Sequence, residues 1–398
     1  MISRRALVAA LAAGLVLAGL GCGGGGGGSN KPKMEVAVQD DAVLLQRAYY
    51  DRNKALDQAK DLEATRIRSL VIWARVPGSQ ADSTTPPPGG KPSYDFSAWD
   101  LLIDDAAKRG IRVQLDLTGP VPAWAAGDRK VGVTRPDARQ FGAFAEQAAR
   151  HFKGRVDRYS IWNEPNYGSW LKPQTEAADL YRNLYLAAYK GIKRAAPHAQ
   201  VLIGETSPYE QAGRAIAPLR FLRDVTCRTA IYAPAKQCPK LVADGYAQHP
   251  YDFLNPPERP HPGADNVTIG SLARLTAALD KLAKGKALTT PSGKALDVYL
   301  TEFGYFASGP AAPPPQQRAS WLVRAFDIAS RNPRVREMLQ YILVSPPNKV
   351  RFDTGILTPE GQPTPAYTAL RDWAHKAASL GTIAKPSGPI GLHTRPGS

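Results

Sequence analysis

Strand-like and helix-like stretches alternate along this chain from about residue 34 to residue 378. Apolar runs such as 66–76 and 111–117 predict buried strands, and each is followed by a stretch with the apolar period of a helix. Repeated strand–helix units predict an α/β protein with a parallel sheet, and about eight of them predict a closed (β/α)₈ barrel, the TIM barrel. An open, doubly wound sheet is the alternative. It more often has a Gly-rich phosphate turn after an early strand, and this sequence has none.

The barrel is predicted to be a single domain over residues 34–380 of the 398-residue chain. Its strands are predicted at 34–45, 66–76, 111–117, 156–162, 201–204, 241–248, 296–301 and 338–344. Its helices are predicted at 54–64, 96–109, 137–152, 175–195, 219–225, 271–283, 316–330 and 364–378. Residues 381–398, which contain several Pro and Gly, are predicted to form a mobile tail.

The N-terminal residues have the features of an export signal. Two arginines near the start precede the apolar run 6–20, which is too short to span a membrane. Cys22 follows this run and begins a Gly-rich stretch, 22–33, that would serve as a flexible linker. Residues 1–21 therefore resemble a bacterial lipoprotein signal, in which the cysteine becomes the lipidated first residue. We expect an exported protein, secreted or held at the bacterial cell surface, that meets a membrane only through Cys22.

The charge of the chain bears on its partners. A net charge of +16, from 51 Lys and Arg against 35 Asp and Glu, favours anionic surfaces, acidic polysaccharides or nucleic acid. The sequence has no dense run of Lys and Arg with interleaved aromatic residues, so nucleic acid is not an expected partner. Dispersed surface arginines account for the charge, and we expect a monomer.

Two of the three cysteines lie close together in sequence, in a region rich in Pro and Thr. In an exported protein, Cys227 and Cys238 are expected to form a disulfide. Two free buried thiols are the alternative.

Two glutamates follow short apolar runs that predict buried strands. Glu164 stands in the motif Trp-Asn-Glu-Pro and Glu302 in the motif Thr-Glu-Phe-Gly, so each strand is closed by a strand breaker, Pro165 or Gly304. The carboxyl ends of barrel strands are where barrel enzymes do their chemistry. Two carboxylates that face one another there are what glycoside hydrolysis requires.

The motifs 162–165 and 301–304 resemble the signature of the clan A glycoside hydrolases. These are retaining (β/α)₈ glycosidases that include the family 5 cellulases and the family 39 and 51 enzymes. The resemblance implies that Glu164 is the acid/base, that Glu302 is the nucleophile and that Asn163 holds the sugar 2-hydroxyl. It implies no metal and no cofactor. A nearby guanidinium would hold the pKa of the nucleophile down, whereas burial and the partner's negative charge would raise the pKa of the acid.

Other positions also match this pattern. Arg68, on the second strand, resembles the arginine that steadies the nucleophile; a barrel-wall arginine paired with a structural acid is the alternative. His249 and Tyr251, after the sixth strand, resemble a substrate-contacting histidine and a tyrosine near the nucleophile. A histidine satisfied within the core is the alternative for His249. Trp170, in a polar stretch after the fourth strand, is the best candidate for an aromatic platform under a sugar ring.

Further residues near strand ends have open roles. Trp73 and Trp124 could stack on sugars or be buried, and Asp116 and Glu205 could bind hydroxyls. Many family 5 enzymes carry His at the end of the third strand, where this chain has Asp116, and Trp at the end of the eighth, where it has 343–346, Leu-Val-Ser-Pro. These differences leave the floor of the sugar site and the exact family open.

The sequence therefore predicts a retaining glycosidase that acts on a polysaccharide or oligosaccharide. A metal-dependent hydrolase on the same barrel would be expected to carry His-x-His or His-Glu-x-x-His, and the six histidines form neither pattern. A non-catalytic, carbohydrate-binding surface lipoprotein is the other alternative. The presence of both glutamates argues against it, since a binding protein has no need of the pair.

Overall fold

Parallel strands close into a barrel in the computed structural model, which describes residues 32–87, 92–348 and 350–392. The barrel strands of this described part are β1 (Glu35–Gln39), β2 (Ala64–Ile72), β3 (Arg112–Thr118), β4 (Arg158–Ile161), β5 (Gln200–Thr206), β6 (Gly245–Gln248), β7 (Val298–Leu300) and β8 (Val335–Tyr341). Each strand pairs in parallel with its neighbours in chain order, and β8 closes on β1. The predicted (β/α)₈ barrel is thus confirmed, and all the carboxyl ends of its strands face one opening.

Helices follow the strands around the outside of the barrel. They are α1 (Arg52–Asp61), α2 (Ser97–Ala107), α3 (Ala138–His151), α4 (Ala177–Ala195), α5 (Pro218–Val225), α6 (Leu272–Lys284), α7 (Pro315–Arg331) and α8 (Pro365–Ser379). Side chains of Asp51, Asp137 and Thr364 accept backbone N–H groups at the starts of α1, α3 and α8. Such caps satisfy donors that a helix start leaves unpaired, so they fix where each helix begins.

Glycines let α3 and α4 approach closely on either side of β4. A Cβ added at Gly142 would lie 2.8 Å from the Cβ of Ala187, and one at Gly191 would lie 2.5 Å from the carbonyl oxygen of Gly142. Any side chain at either position would push the two helices apart. Their close packing holds β4, and hence the residues that follow it, in place.

A buried charged cluster fills the amino end of the barrel. Arg66 contacts Glu35 at 3.0 Å, and Arg158 contacts Glu337 at 2.7 Å and Glu35 at 2.6 Å. Burial raises the pKa of Glu337 to about 7, although the two arginines oppose this shift. These groups lie at the end opposite to the catalytic mouth of a barrel, where side chains serve stability.

The structure corrects the bounds of several predicted strands. The first, predicted at 34–45, ends at Gln39, and a short helix, Asp41–Leu44, follows it. The second, predicted at 66–76, spans Ala64–Ile72.

The predicted strand 241–248 divides into β6 and a separate pair, Leu241–Val242 with Leu288–Thr289, outside the barrel. The predicted strand 338–344 is displaced, because β8 ends at Tyr341. The next amide, that of Ile342, donates to Thr354 Oγ1 at 2.9 Å instead of to a neighbouring strand.

A disulfide joins Cys227 and Cys238, as predicted. It closes a loop after α5, and its two residues are separated by 11 positions in sequence. Cys227 is buried, so the bond anchors this loop to the body of the barrel.

The terminal segments were predicted to be a signal, a linker and a tail. The predicted signal, 1–21, and Cys22 lie outside the described residues. Within the described part of the chain, no helix is both long and apolar enough to cross a membrane. Of the predicted tail, Ile383 is buried and bridges to Met34, so the start of this segment has defined contacts with the barrel.

Candidate active site

Arg68 lies fully buried at the carboxyl end of the barrel, on β2. Its guanidinium donates to Glu302 at 2.8 Å, to Asp116 at 3.0 Å, to Glu205 at 3.1 Å and to Asn163 Oδ1 at 3.0 Å. A planar fork of N–H donors suits such a set of oxygens. The guanidinium also donates to Gln39 at the end of β1. One cation therefore joins side chains that lie on, or just after, five other strands.

Glu302 lies two residues beyond β7 and is 8% exposed. Its Oε1 accepts from Arg68, and its Oε2 accepts from Tyr251 Oη at 3.1 Å. Burial raises the pKa of Glu302 above its ordinary value, while the positive charges of His249 and Arg68 oppose this shift. The guanidinium therefore acts in the expected direction, but burial has the larger effect. The charged form of Glu302 depends on these two cations.

Asn163 and Glu164 follow β4 in a constrained backbone. Glu164 has a φ of +40°, in the left-handed region that side chains rarely adopt. The amide of Asn163 donates to Thr118 Oγ1 at 2.9 Å, and its Oδ1 accepts from Arg68. With its oxygen engaged in this way, the Asn163 side chain keeps its NH₂ group as a donor for a ligand.

His249, directly after β6, stands among three carboxylates and is fully buried. Its Nε2 lies 2.7 Å from Glu205, and its Nδ1 lies 3.1 Å from Glu164 and 3.6 Å from Glu302. Burial lowers the pKa of His249, but the charge of Glu302 and the hydrogen bonds with Glu164 and Glu205 raise it to about 10. His249 is therefore positively charged at neutral pH.

His249 also limits the separation of the two glutamates. Because its Nδ1 lies 3.1 Å from Glu164 Oε1 and 3.6 Å from Glu302 Oε2, these oxygens cannot be further apart than the sum of the two distances. Retaining glycosidases hold their carboxyl groups about 5–5.5 Å apart, and inverting ones about 6.5–9.5 Å apart. The sum falls at the lower edge of the inverting range. A bent arrangement at Nδ1 makes the distance between these two oxygens shorter than this sum.

Glu205 and Asp116, predicted as possible ligands of sugar hydroxyls, are fully buried, and each accepts a hydrogen bond from Arg68. Glu205 accepts from Arg68, from His249 and, at 2.6 Å, from Thr301 Oγ1. Burial raises the pKa of Glu205, but Arg68 and His249 lower it to about 2, so it is ionised. Glu205 therefore holds the side chains that face the cleft. No group of three or more His, Cys, Asp or Glu in the described part of the chain could hold a metal ion.

The last residue of β8 is aromatic. Residues 343–346 were predicted to stand where many family 5 enzymes carry Trp, but β8 ends earlier than predicted. The strand ends at Tyr341, which is half-buried and whose amide donates to the carbonyl of Phe303 at 2.8 Å. Burial raises the pKa of Tyr341, and the negative charge of nearby Glu302 raises it further. Tyr341 is therefore near enough to Glu302 for its pKa to respond to that charge, and it was missed because the strand was predicted to continue to residue 344.

The three tryptophans considered as sugar-stacking residues differ in their surroundings. Trp73 and Trp124 are buried in the core, with their ring centroids 5.2 Å apart, and Trp73 stacks on Phe144. Trp170 is half-buried, and its carbonyl accepts from Trp162 Nε1 at 2.8 Å. Among the described contacts, none joins the Trp170 ring to either glutamate. The structure thus gathers Arg68, Asn163, His249 and Tyr251 around the two carboxylates, but not Trp170.

Comparison with protein-family models identifies the family of this chain. The model of the cellulase family, glycosyl hydrolase family 5, matches residues 36–327. The chain belongs to this family. Through this family, the chain belongs to clan A of the glycoside hydrolases. No curated protein matches the sequence.

Solved structures share the fold at low sequence identity. A family 39 glycoside hydrolase from Bacteroides cellulosilyticus WH2 has a TM-score of 0.61 and 18% identity, over 86% of this chain and 64% of its own. The exo-β-1,4-mannosidase of Opitutaceae bacterium strain TAV5 has a TM-score of 0.55 and 15% identity, over 88% and 60%. A monomeric β-xylosidase of Caulobacter crescentus CB15 has a TM-score of 0.54 and 16% identity, over 86% and 68%. The chain therefore spans less than two thirds of the length of the first two proteins.

Proposed function

We propose that this chain is a retaining glycosidase that hydrolyses O-glycosidic bonds in a polysaccharide or oligosaccharide by double displacement. The observation that carries the proposal is the position of His249, whose Nδ1 lies 3.1 Å from Glu164 and 3.6 Å from Glu302. A single group in contact with both carboxylates requires that they converge over one small space, which a sugar's anomeric carbon can occupy.

In the first step, Glu302 attacks the anomeric carbon and forms a covalent glycosyl-enzyme. Glu164 at the same time gives its proton to the departing glycosidic oxygen. Arg68, at 2.8 Å from Glu302, orients the attacking carboxylate, and Tyr251 holds the other oxygen. The Asn163 NH₂ group donates to the sugar 2-hydroxyl, in a hydrogen bond that strengthens as the transition state forms.

In the second step, Glu164 removes a proton from water, and the resulting hydroxide attacks the anomeric carbon and releases Glu302. Two attacks from opposite faces give net retention of configuration. Throughout the cycle, the charges on the two glutamates change while His249 stays positive between them. A fixed cation in a buried site stabilises whichever carboxylate is ionised, and the surrounding groups do not have to rearrange as the charge moves.

The stereochemistry of hydrolysis tests this proposal. We expect NMR spectra taken early in hydrolysis of a 4-nitrophenyl β-glycoside to show the β-sugar first, before it mutarotates. The mannosidase and the xylosidase among the structural neighbours suggest β-mannosides and β-xylosides as substrates to test, and the match to the cellulase family adds β-glucosides. The corresponding polysaccharides follow this panel. Initial release of the α-sugar would contradict double displacement, and a complete lack of hydrolysis across the panel and the polysaccharides would contradict the proposed activity.

We further propose that the protein is exported and attached to a membrane through a lipid on Cys22. The basis is the apolar run 6–20, the cysteine that follows it and the Gly-rich linker. Replacing Cys22 with Ser is expected to move the protein from the membrane fraction to the soluble fraction of the culture. Wild-type protein found entirely in the medium would contradict lipidation and leave simple secretion.

A further inference from the structure

Three phenylalanines form a cluster, here called the aromatic wall, on loops that leave three adjacent strands. Phe253 follows β6, Phe306 follows β7 and Phe352 follows β8. The rings of Phe253 and Phe306 stack with their centroids 4.5 Å apart. Phe352 stands edge-on to both, at 5.5 and 5.4 Å. Loops that are distant in sequence therefore present one continuous aromatic surface.

This surface is partly open to solvent. Phe352 is 39% exposed, and Leu254 and Val350, on the same loops, are 70% and 45% exposed. Phe253 and Phe306 are half-buried. Scattered apolar residues on a surface need no explanation, but a contiguous apolar patch beside a cleft is typical of a binding site.

The aromatic wall is continuous with the candidate active site through Tyr251. The Tyr251 ring stacks on Phe253 at 4.8 Å and meets Phe352 edge-on at 5.8 Å. Its hydroxyl donates to Glu302 at 3.1 Å. Only one ring therefore separates the wall from the carboxylate that we propose as the nucleophile.

The chemistry of the wall differs from that of the strand ends below it. Phenylalanine rings offer no hydrogen-bonding atom, so sugar hydroxyls turned toward them would lose water without a replacement. An apolar group would instead gain from leaving water and from ring contacts. Polar partners for a sugar, such as Asn163 and Glu164, instead lie directly after the end of β4.

We propose that the aromatic wall is a subsite for an apolar aglycone, an aromatic or alkyl group joined to the sugar through the bond that is cleaved. The inference rests on the proposed function, which seats the reacting sugar between Glu164 and Glu302. All three wall residues lie several positions beyond the ends of their strands, and hence further out along the loops. In this proposal, the group beyond the scissile bond extends toward these loops as it leaves the barrel mouth.

Binding of matched glycosides tests the subsite. Phenyl and methyl β-glycosides of glucose, xylose and mannose differ only in the aglycone. Their Kd values are measured by calorimetry on Glu302→Gln, which prevents cleavage. For at least one sugar, the phenyl glycoside is expected to bind about tenfold more tightly than the methyl glycoside. Adding Phe352→Ala should reduce this preference to about threefold or less, because the exposed ring is the largest open part of the wall.

A matched control is Leu380→Ala, which removes an exposed apolar side chain at the C-terminal end of α8, away from the barrel mouth. It should leave the phenyl preference unchanged. Equal affinities for phenyl and methyl glycosides, no binding of any phenyl glycoside, or a preference that survives Phe352→Ala would each overturn the subsite. Glycoside hydrolysis by wild type together with equal affinities would overturn only the subsite. Phenyl-selective binding through Phe352 without hydrolysis would instead overturn the proposed function.

Discussion

Replacing Glu302 with glycine is expected to lower kcat on an aryl β-glycoside by at least about 10⁴-fold, because the reaction loses the group that attacks the anomeric carbon. The space left by the side chain lets azide reach this carbon directly. Azide should therefore restore turnover and give a glycosyl azide whose anomeric configuration is opposite to that of the substrate. The coupling constant of the anomeric proton in the NMR spectrum distinguishes the two configurations.

The companion variant, Glu164→Ala, should behave differently. Its kcat should fall by about 10²–10⁴-fold on substrates whose leaving group needs a proton, and much less on activated ones. Azide should then attack an intermediate still bound to Glu302 and give a product with the configuration of the substrate. Glu360→Gln, a surface substitution, serves as the control and should change nothing. If the two azide products were exchanged, the roles of Glu164 and Glu302 would be reversed.

The sequence was sufficient to predict that five site residues lie close together, because each has a defined position relative to a predicted strand. Glu164, Glu302, Arg68, His249 and Tyr251 all lie on or just after a predicted strand, and a closed barrel brings every strand's carboxyl end to one opening. Once the strand–helix alternation predicts the barrel, the positions of these side chains follow without any knowledge of loop shape. Trp170 is different, since it lies in a loop whose course the strand pattern does not specify.

The boundary of β8 could not be read from local pattern. The apolar residues of 338–344 continue beyond Tyr341, but the strand ends where Thr354 bonds the backbone at Ile342. That contact joins residues on either side of a loop, so it leaves no trace in the periodicity. The aromatic wall could not be predicted from the sequence either, because its three rings lie on separate loops and come together only in the folded protein.

The role of Glu205 was also hidden. Its place near a strand end suggested a ligand for sugar hydroxyls, yet it lies beneath Arg68 and His249 with no exposed surface. Whether a strand-end carboxylate faces the cleft or lies behind a neighbour depends on which long side chains cross the barrel above it. Arg68 reaches across from β2 to do so, and sequence spacing alone does not show this.

Replacing Glu205 with glutamine is expected to destabilise the fold by about 3–5 kcal/mol, because it removes the buried carboxylate that contacts both Arg68 and His249 and so weakens the balance of their positive charges. Glu205 accepts from His249 at 2.7 Å and from Arg68 at 3.1 Å, and a neutral amide cannot replace its charge. The midpoint of urea unfolding measures the loss. A variant as stable as wild type at pH 7 would contradict the role we assign to this carboxylate.

The pH dependence of that loss separates a charge effect from a packing effect. The pKa of His249 is about 10 in the folded protein against an ordinary 6.5, so its contribution to stability is complete below 6.5 and disappears as pH rises through 10. The pKa of Glu205 is about 2 against 4.5, so its contribution is complete above 4.5. The stability difference between wild type and Glu205→Gln should therefore be largest between these limits and shrink toward pH 10.

Glu337→Gln provides the matched control at the other end of the barrel. The folded pKa of Glu337 is about 7 against an ordinary 4.5, so its contribution changes only as pH rises from 4.5 through 7. Between pH 8 and 10 its stability difference from wild type should be constant, while that of Glu205→Gln declines. A cavity or a lost contact would instead lower the stability of Glu205→Gln equally at every pH.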